Sequence, residues 1–549
     1  MTLHARDWFP VPGETARVAR AAFRKGNVYM AIRDKLGFWY KDSDYAHLFD
    51  VNEGRPAESP ARLNLILIVQ FAEGLSDRQA AEAVRSRIDL KYLLGLSLED
   101  EGFDFSVLSE YRDRLIAGGT EAQLFEDMLL HFREMGMLKA RGRQRTDSTH
   151  VLAAVRQMNR LERVGETLRA ALNAVATVAP DWLRTQVEPD WFDLYGPRFE
   201  QYRLPKKRVE QEGLAKRIGA DGYHLLSAIY EAGHVWLREV PAVEILRQVW
   251  VQQYYLQDDR VHWRTKEDSP ASSLTIQSPY DPEARNRSKR TTNWTGYAAH
   301  LTETCDPDLP HLVTDVQTTP ATTSDVAMTA TIHASLAEKD LLPEEHYVDT
   351  GYMDADLLVT SREDHDIDLC GPVMADTRWQ ARSGAGFALR CFAIDWEAQR
   401  VTCPQGQTSQ RWHPRQNTEG KDIIVVEFDS QVCQACGQRA QCTKAKTGGR
   451  RVTFQPQAQH TALQEARERQ ESPEFKERYT RRAGIEGTIS QGTRSFDLRQ
   501  TRYIGLEKTH LQHLLTAAAM NITRIVAWLD HVPTARTRQS QFQRLALAA

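Results

Sequence analysis

The run Ser472-Pro-Glu-Phe-Lys-Glu-Arg-Tyr479-Thr-Arg-Arg482-Ala-Gly-Ile-Glu486 decides how the rest of the chain is read. Ser472 is a preferred N-cap residue and Pro473 suits a first helical position, so a helix starts here. Tyr479, Arg482 and Glu486 follow at steps of three and four, which puts them on one helix face. Arg494 lies eight residues beyond Glu486. A phenol, a guanidinium and a carboxylate side by side suit a phosphate and a metal ion held together. Taken alone, the same spacing also suits a surface salt-bridge stripe.

Two further carboxylates give the run its company. Asp147 ends a short basic strand, after Lys139-Ala-Arg141-Gly-Arg143-Gln-Arg145. Asp349 ends the apolar strand His346-Tyr-Val and is followed by Thr350-Gly351. Carboxylates at strand ends facing a helix-borne glutamate suit phosphodiester chemistry, in which two metal ions sit about 3.5–4 Å apart. Hard oxygen donors favour Mg²⁺ or Mn²⁺.

Working outward, residues 60–135 read as helical. Ser76 is placed to cap an alanine-rich helix, and a break at Gly102-Phe-Asp-Phe-Ser106 leads into another. With Arg78, Arg85, Arg87, Lys91, Arg112 and Arg114, the pair suits either a helix-turn-helix DNA reader or a small bundle with solvated arginines. From Leu152 to Val175, apolar residues recur every three or four positions, predicting an amphipathic helix. We read 155–270 as one helical block whose aromatics pack a core, with base stacking as the alternative. Tyr297–Thr304 and His311–Thr318 read as strands parted by Asp306-Pro-Asp-Leu-Pro310. A helix over 323–340 is expected to be capped by Ser324 or Asp325, and another starts at Asp354. Strand, strand, helix, strand, helix makes an α/β core.

Residues 371–450 are polar and glycine-punctuated and hold five of the seven cysteines. Cys403, then Cys433-Gln-Ala-Cys436, then Cys442 fit a structural tetrahedral Zn²⁺ knuckle; ordinary thiols in a loop-rich segment are the alternative. Cys305, Cys370 and Cys391 are expected to pack. Seven cysteines, an odd number, do not make a secreted disulfide scaffold. The opening Met-Thr-Leu-His-Ala-Arg-Asp-Trp has no apolar core of signal-peptide length, and no run approaches the roughly 20 residues of a bilayer span. The chain reads as soluble and intracellular, without membrane contact. Formal charge is −4, but Gln441–Ala549 carries 18 Lys+Arg against 9 Asp+Glu. The basic excess falls around the Glu486 helix, with smaller runs before Asp147 and at Arg285, Arg287, Lys289 and Arg290.

Thr146-Asp147-Ser148, Val348-Asp349-Thr-Gly-Tyr352 and Tyr479-x-x-Arg482-x-x-x-Glu486 resemble the three catalytic blocks of bacterial insertion-sequence DDE transposases. Gly487-Thr-Ile-Ser-Gln-Gly-Thr-Arg494 and Leu506-Glu-Lys-Thr-His-Leu511 resemble the insertion-sequence eleven-eighty-two family in particular. Gly74-Leu-Ser-Asp-Arg-Gln-Ala80 and Phe103-Asp-Phe-Ser106 are similar to the helical N-terminal domain of InsH-type transposases. Two positions depart: the family's basic residue after the glutamate falls on Thr493, with Arg494 one further on, and Gly296-Tyr297 is followed by Ala298 rather than lysine.

The resemblance implies an α/β, RNase H-like (retroviral-integrase-like) core holding Mg²⁺ or Mn²⁺ on Asp147, Asp349 and Glu486. Asp147 is expected on the first core strand and Asp349 on the fourth. The implied divisions are an all-α DNA-binding domain over 1–138, a core over 139–154, 276–370 and 455–530, a helical insertion over 155–275, a cysteine-containing insertion over 371–454, and a tail over 531–549. Tyr479, Arg482, Arg494, Arg145, Lys289 and Arg290 are the implied DNA phosphate contacts. The implied activity is cleavage at transposon terminal inverted repeats and joining of the 3′-hydroxyl ends to target DNA, by a homodimer on paired ends. A DNA-binding regulator, an inactive remnant, or a nuclease without strand transfer are the competing readings.

Overall fold

The computed structural model describes residues 1–50, 54–231, 233–289, 291–382, 384 and 386–533. Arg290 and residues 534–549 of the expected tail therefore lie outside the described residues. Thirteen strands are described: β1 Arg143–Leu152, β2 Tyr254–Gln257, β3 Arg260–Trp263, β4 Arg285–Lys289, β5 Thr292–Thr304, β6 Val313–Pro320, β7 Glu345–Tyr347, β8 Asp368–Cys370, β9 Ala393–Asp395, β10 Arg400–Thr402, β11 Arg411–Gln416, β12 Asp422–Glu427 and β13 Arg451–Phe454. With helices making up most of the remaining elements, the fold is mixed α/β.

The main sheet is built around β5. One edge of β5 pairs antiparallel with β1, and the other pairs antiparallel with β6 and, further along, β4. On the far side of β1, β7 and then β8 add in parallel. The order β6-β5-β1-β7-β8 is consistent with an RNase H-like core. From Tyr297 to Thr304, β5 is buried on both faces, which is why its sequence shows no apolar–polar alternation. Gly296 is required where β5 crosses β1: its φ is +152°, and a Cβ there would stand 2.2 Å from the Val151 carbonyl oxygen.

Helix Leu506–Leu529 lies between this sheet and the N-terminal helices, buried along most of its length. Its Asn521 carboxamide accepts from the Val313 N–H at 2.7 Å and donates to the Val313 carbonyl at 2.8 Å, so a side chain completes the pairing of β6's outer edge. Helix Pro60–Glu73 packs on the same helix and is buried all round, from Leu63 to Phe71. Ser76 caps Asp77–Ser86 through a reciprocal capping box with Gln79.

The six basic residues of the expected helix pair are mostly committed within the protein. Arg112 is buried against Asp77, Arg87 pairs with Glu73 and Asp89, and buried Lys91 donates to the Asp100 carbonyl. Arg85 binds Glu82 and the Glu101 carbonyl, and Arg114 the Leu48 carbonyl, while Arg78 stacks over Phe105. An additional helix, Ile88–Leu94, separates the two expected ones.

Residues 160–263 pack around their own core of Leu161, Val164, Leu168, Trp191, Trp250 and Tyr254. The amphipathic helix spans Arg160–Val178; Leu152 belongs to β1 instead, because pairing to Gly296 keeps that strand extended. The block also holds the β2–β3 hairpin. Trp191, Tyr195, Phe199, Trp250 and Tyr254 are core residues, whereas Phe192, Tyr202, Tyr230 and Trp236 are exposed. Further on, β11, β12 and β13 form a separate antiparallel sheet over a small core that includes Val401, Val426 and Phe454. No helix among the described residues is long and apolar enough to cross a membrane.

Candidate active site

The parallel register of β1 and β7 sets Arg145 beside Tyr347. That pairing ends two residues short of Asp147 and Asp349, and Asp349 lies near enough to Asp147 to raise its carboxyl. Asp147 takes its own Ser148 N–H at 2.8 Å, and Asp349 takes the Gly351 N–H at 2.8 Å as it caps the turn Thr350–Tyr352. Asp354 caps the next helix, as expected.

Glu486 comes from the first turn of helix Gly484–Ser495. Ser472 caps Pro473–Tyr479, and a short 3₁₀ turn over Thr480–Ala483 joins the two helices. On that turn, Arg482 donates to Asp147 at 2.5 Å and to Glu486 at 3.0 Å, so one guanidinium gathers both carboxylates. Tyr479 stacks on Phe475 with ring centroids 5.5 Å apart and donates to the Val348 carbonyl at 3.2 Å, the peptide just before Asp349. Burial pushes the Asp147 carboxyl up to about 6, against the pull of Arg482 and the Ser148 N–H; Asp349 and Asp325 add to the rise.

Asp325, which with Ser324 is a candidate helix cap in the sequence, is a fourth carboxylate here. Neither it nor Ser324 caps by its side chain. Asp325 instead accepts from Ser148 Oγ at 3.1 Å and from Lys289 Nζ at 3.2 Å. A Cβ on Gly351 would stand 2.9 Å from Asp349 Oδ1 and 3.1 Å from Asp325 Oδ2, so the turn after Asp349 passes between these two acids. Beneath them, the Tyr352 hydroxyl is 2.6 Å from His300 Nδ1.

The remaining expected contacts divide. Arg494 is exposed on the wall of an open cleft of about 350 Å³, together with Asp147, Ser148, Glu486 and Arg499. Lys289 reaches the site through Asp325. Arg145 is corrected: it is buried, pairs with Glu303 at 2.6 Å and donates to the Arg481 carbonyl. Its guanidinium runs beneath Gly484, where a Cβ would stand 2.0 Å from it. Arg145 therefore braces the backbone that carries Arg482 and Glu486, and its head is not turned to solvent.

Cys403, Cys433, Cys436 and Cys442 line one small cavity of about 60 Å³, and the Arg450 N–H points at Cys433 Sγ at 3.4 Å. Cys305 and Cys370 are buried as expected, whereas Cys391 is exposed and does not serve packing. Among the described residues, no three His, Cys, Asp or Glu side chains stand at the spacing of a formed metal site. The fit to metal is one of donor kind alone: Asp147, Asp349, Asp325 and Glu486 offer hard carboxylate oxygens, and the four cysteines offer soft sulfurs.

Residues 402–526 match the family model for a transposase DDE domain, and residues 17–114 match a transposase domain of otherwise uncharacterised role (DUF772). The first span holds the four clustered cysteines, Tyr479, Arg482 and Glu486, while Asp147 and Asp349 precede it. No curated protein and no solved structure matches the chain. With the glutamate block inside one matched span and the N-terminal helices inside the other, these matches support a bacterial insertion-sequence DDE transposase.

Proposed function

We propose that the protein cleaves phosphodiester bonds at the terminal inverted repeats of its own element and joins the freed 3′-hydroxyls to target DNA. The observation that supports this is Arg482, whose guanidinium binds both Asp147 and Glu486, with Asp349 close enough to raise the Asp147 carboxyl. Asp147, Asp349 and Glu486 would hold Mg²⁺ or Mn²⁺, which supplies an activated water and neutralises the leaving oxygen when bound. DDE transposases generally use divalent metal ions. Tyr479 fixes the strand end at Asp349 through the Val348 carbonyl, and Arg494 faces the cleft as a phosphate contact.

In this reading the strand order supports an RNase H-like core, entered by the helical block 155–275 and the cysteine-bearing block 371–454, behind a DNA-binding unit over 1–138. Membership of the eleven-eighty-two family and a homodimer on paired ends belong to the same proposal. The test is incubation of the purified protein with duplexes from the DNA flanking its coding sequence, with Mg²⁺ or with EDTA. Metal-dependent nicking with free 3′-hydroxyls that join a second duplex is the expected outcome. Binding without cleavage would favour a regulator, and nicking without joining a simple nuclease.

The four cysteines are proposed as a structural Zn²⁺ site, supported by their common cavity and by the N–H directed at Cys433. A core as small as the one under β11–β13 gains most from such a staple. Purified protein is expected to carry about one Zn²⁺ per chain, and Cys433→Ser with Cys436→Ser to carry none. Zinc-free, fully folded wild-type protein would remove the site.

A further inference from the structure

We propose that Arg499 is a substrate-binding residue that seats the phosphate neighbouring the one cut, an assignment that rests on the end cleavage proposed above. Arg499 stands in the cleft that Asp147 and Glu486 open into. Its backbone is stitched to the end of β1: the Leu152 N–H donates to the Arg499 carbonyl at 2.8 Å, and the Thr501 N–H to the Leu152 carbonyl at 3.1 Å. The guanidinium is therefore carried by a sheet extension, not by a free loop.

Its aim is also fixed. Arg499 Nε donates to Thr149 Oγ1 at 2.7 Å, and among the described residues no carboxylate pairs with it and nothing occupies its Nη groups. Arg482, Arg145 and Arg524 each hold a carboxylate, so this half-buried arginine differs from its neighbours. Two N–H edges left open toward a cleft suit the two-pronged contact a phosphate accepts.

Spacing completes the case. Asp147 and Thr149 lie two residues apart on β1, hence on one face and about 6.6 Å apart along the strand. A carboxylate and a tethered guanidinium at that interval match one phosphate-to-phosphate step of a nucleic acid strand. A DNA strand drawn along β1 would place the cut phosphate at Asp147 and an adjacent one at Arg499. Exposed Arg494 on the facing helix closes the cleft with a second positive charge.

The experiment uses the full chain with Mg²⁺ and a duplex of its own flanking DNA, in which single phosphates are replaced by uncharged methylphosphonates. Wild-type cleavage should fall roughly 10- to 100-fold when the phosphate next to the cut is neutralised, as expected for losing a charged hydrogen bond. Arg499→Gln should show that loss on ordinary DNA and no further loss at that position, while Arg499→Lys recovers part of the rate. Thr149→Val, which removes the tether and keeps the charge, should raise KM more than it lowers kcat. An Arg499→Gln protein as sensitive as wild type at every phosphate would overturn the assignment. No cutting of any duplex by the wild-type protein would overturn the end-cleavage reading and this inference with it.

Discussion

Asp147→Asn is expected to stop end cleavage while making the metal-free protein harder to unfold. The loss of activity should exceed the roughly 100-fold that removing even an outer partner of a metal ligand costs. The stability gain follows from the raised carboxyl. Folded, Asp147 releases its proton only near pH 6, well above its ordinary value of 3.8. Between those values the folded chain binds more protons than the unfolded one, so stability falls as pH rises through that window. At pH 7.5 the ionised carboxylate costs up to about 3 kcal/mol, which an amide of the same shape does not incur. Urea denaturation in EDTA, at pH 4 and pH 7.5, checks this. Asparagine should raise the midpoint at pH 7.5 and leave it nearly unchanged at pH 4. A variant that cuts DNA normally, or one less stable than wild type at pH 7.5, contradicts the role given to this residue.

Glu303→Leu is expected to be the most damaging change to the fold, by about 3–5 kcal/mol. Glu303 on β5 is wholly buried and receives Arg145 from β1 and Arg524 from helix Leu506–Leu529, each through a hydrogen bond of 2.7 Å, together with the Thr488 hydroxyl. Burial alone would push its carboxyl up, but Arg524 and Arg145 outweigh it and hold it below the usual glutamate value. Leucine would leave buried Arg145 and partly buried Arg524 without their counter-charge. Replacing all three with apolar residues of similar size should restore much of the stability, since a fully apolar core forgoes the desolvation of three charges. End cleavage should stay impaired in that triple variant. Arg145 grips the Arg481 carbonyl and Glu303 grips Thr488, so the knot brackets Arg482 and Glu486 on both sides. Denaturation midpoints and cleavage rates of the single and triple variants test both halves, and an unaltered midpoint for Glu303→Leu would refute the first.

Local chemistry made part of this legible in the sequence. Ser76, Ser472 and Asp354 announce helix starts because a cap and its N–H targets lie within three residues. The two strands flanking Asp306-Pro-Asp-Leu-Pro310 pair as an antiparallel hairpin for the same reason. The residues that went astray depend on partners far along the chain. Arg145 looks like the end of a basic run until Glu303, 158 positions away, arrives from the neighbouring strand. Arg112 is claimed by Asp77 across 35 positions. Asp325 carries the local signature of a helix cap, and only the approach of Lys289 and Ser148 from two other strands shows where its carboxylate goes. Arg499 carries no local motif, since its position depends on the end of β1 to which its backbone is hydrogen-bonded.

Helix Leu506–Leu529 has a consequence for biosynthesis. The N-terminal helix Pro60–Glu73 needs it as a packing partner, yet it leaves the ribosome roughly 430 residues later. At about 5–20 residues per second, the face of the early helix that this partner covers waits roughly 20–90 s. The outer edge of β6 waits as long for Asn521. A product ending before residue 506 is expected to lack both contacts and to be degraded faster than the full chain, which a pulse-chase comparison would check. The early helices thus reach their final packing only once residues 506–529 have been made, which couples folding of the first part of the chain to synthesis of the last.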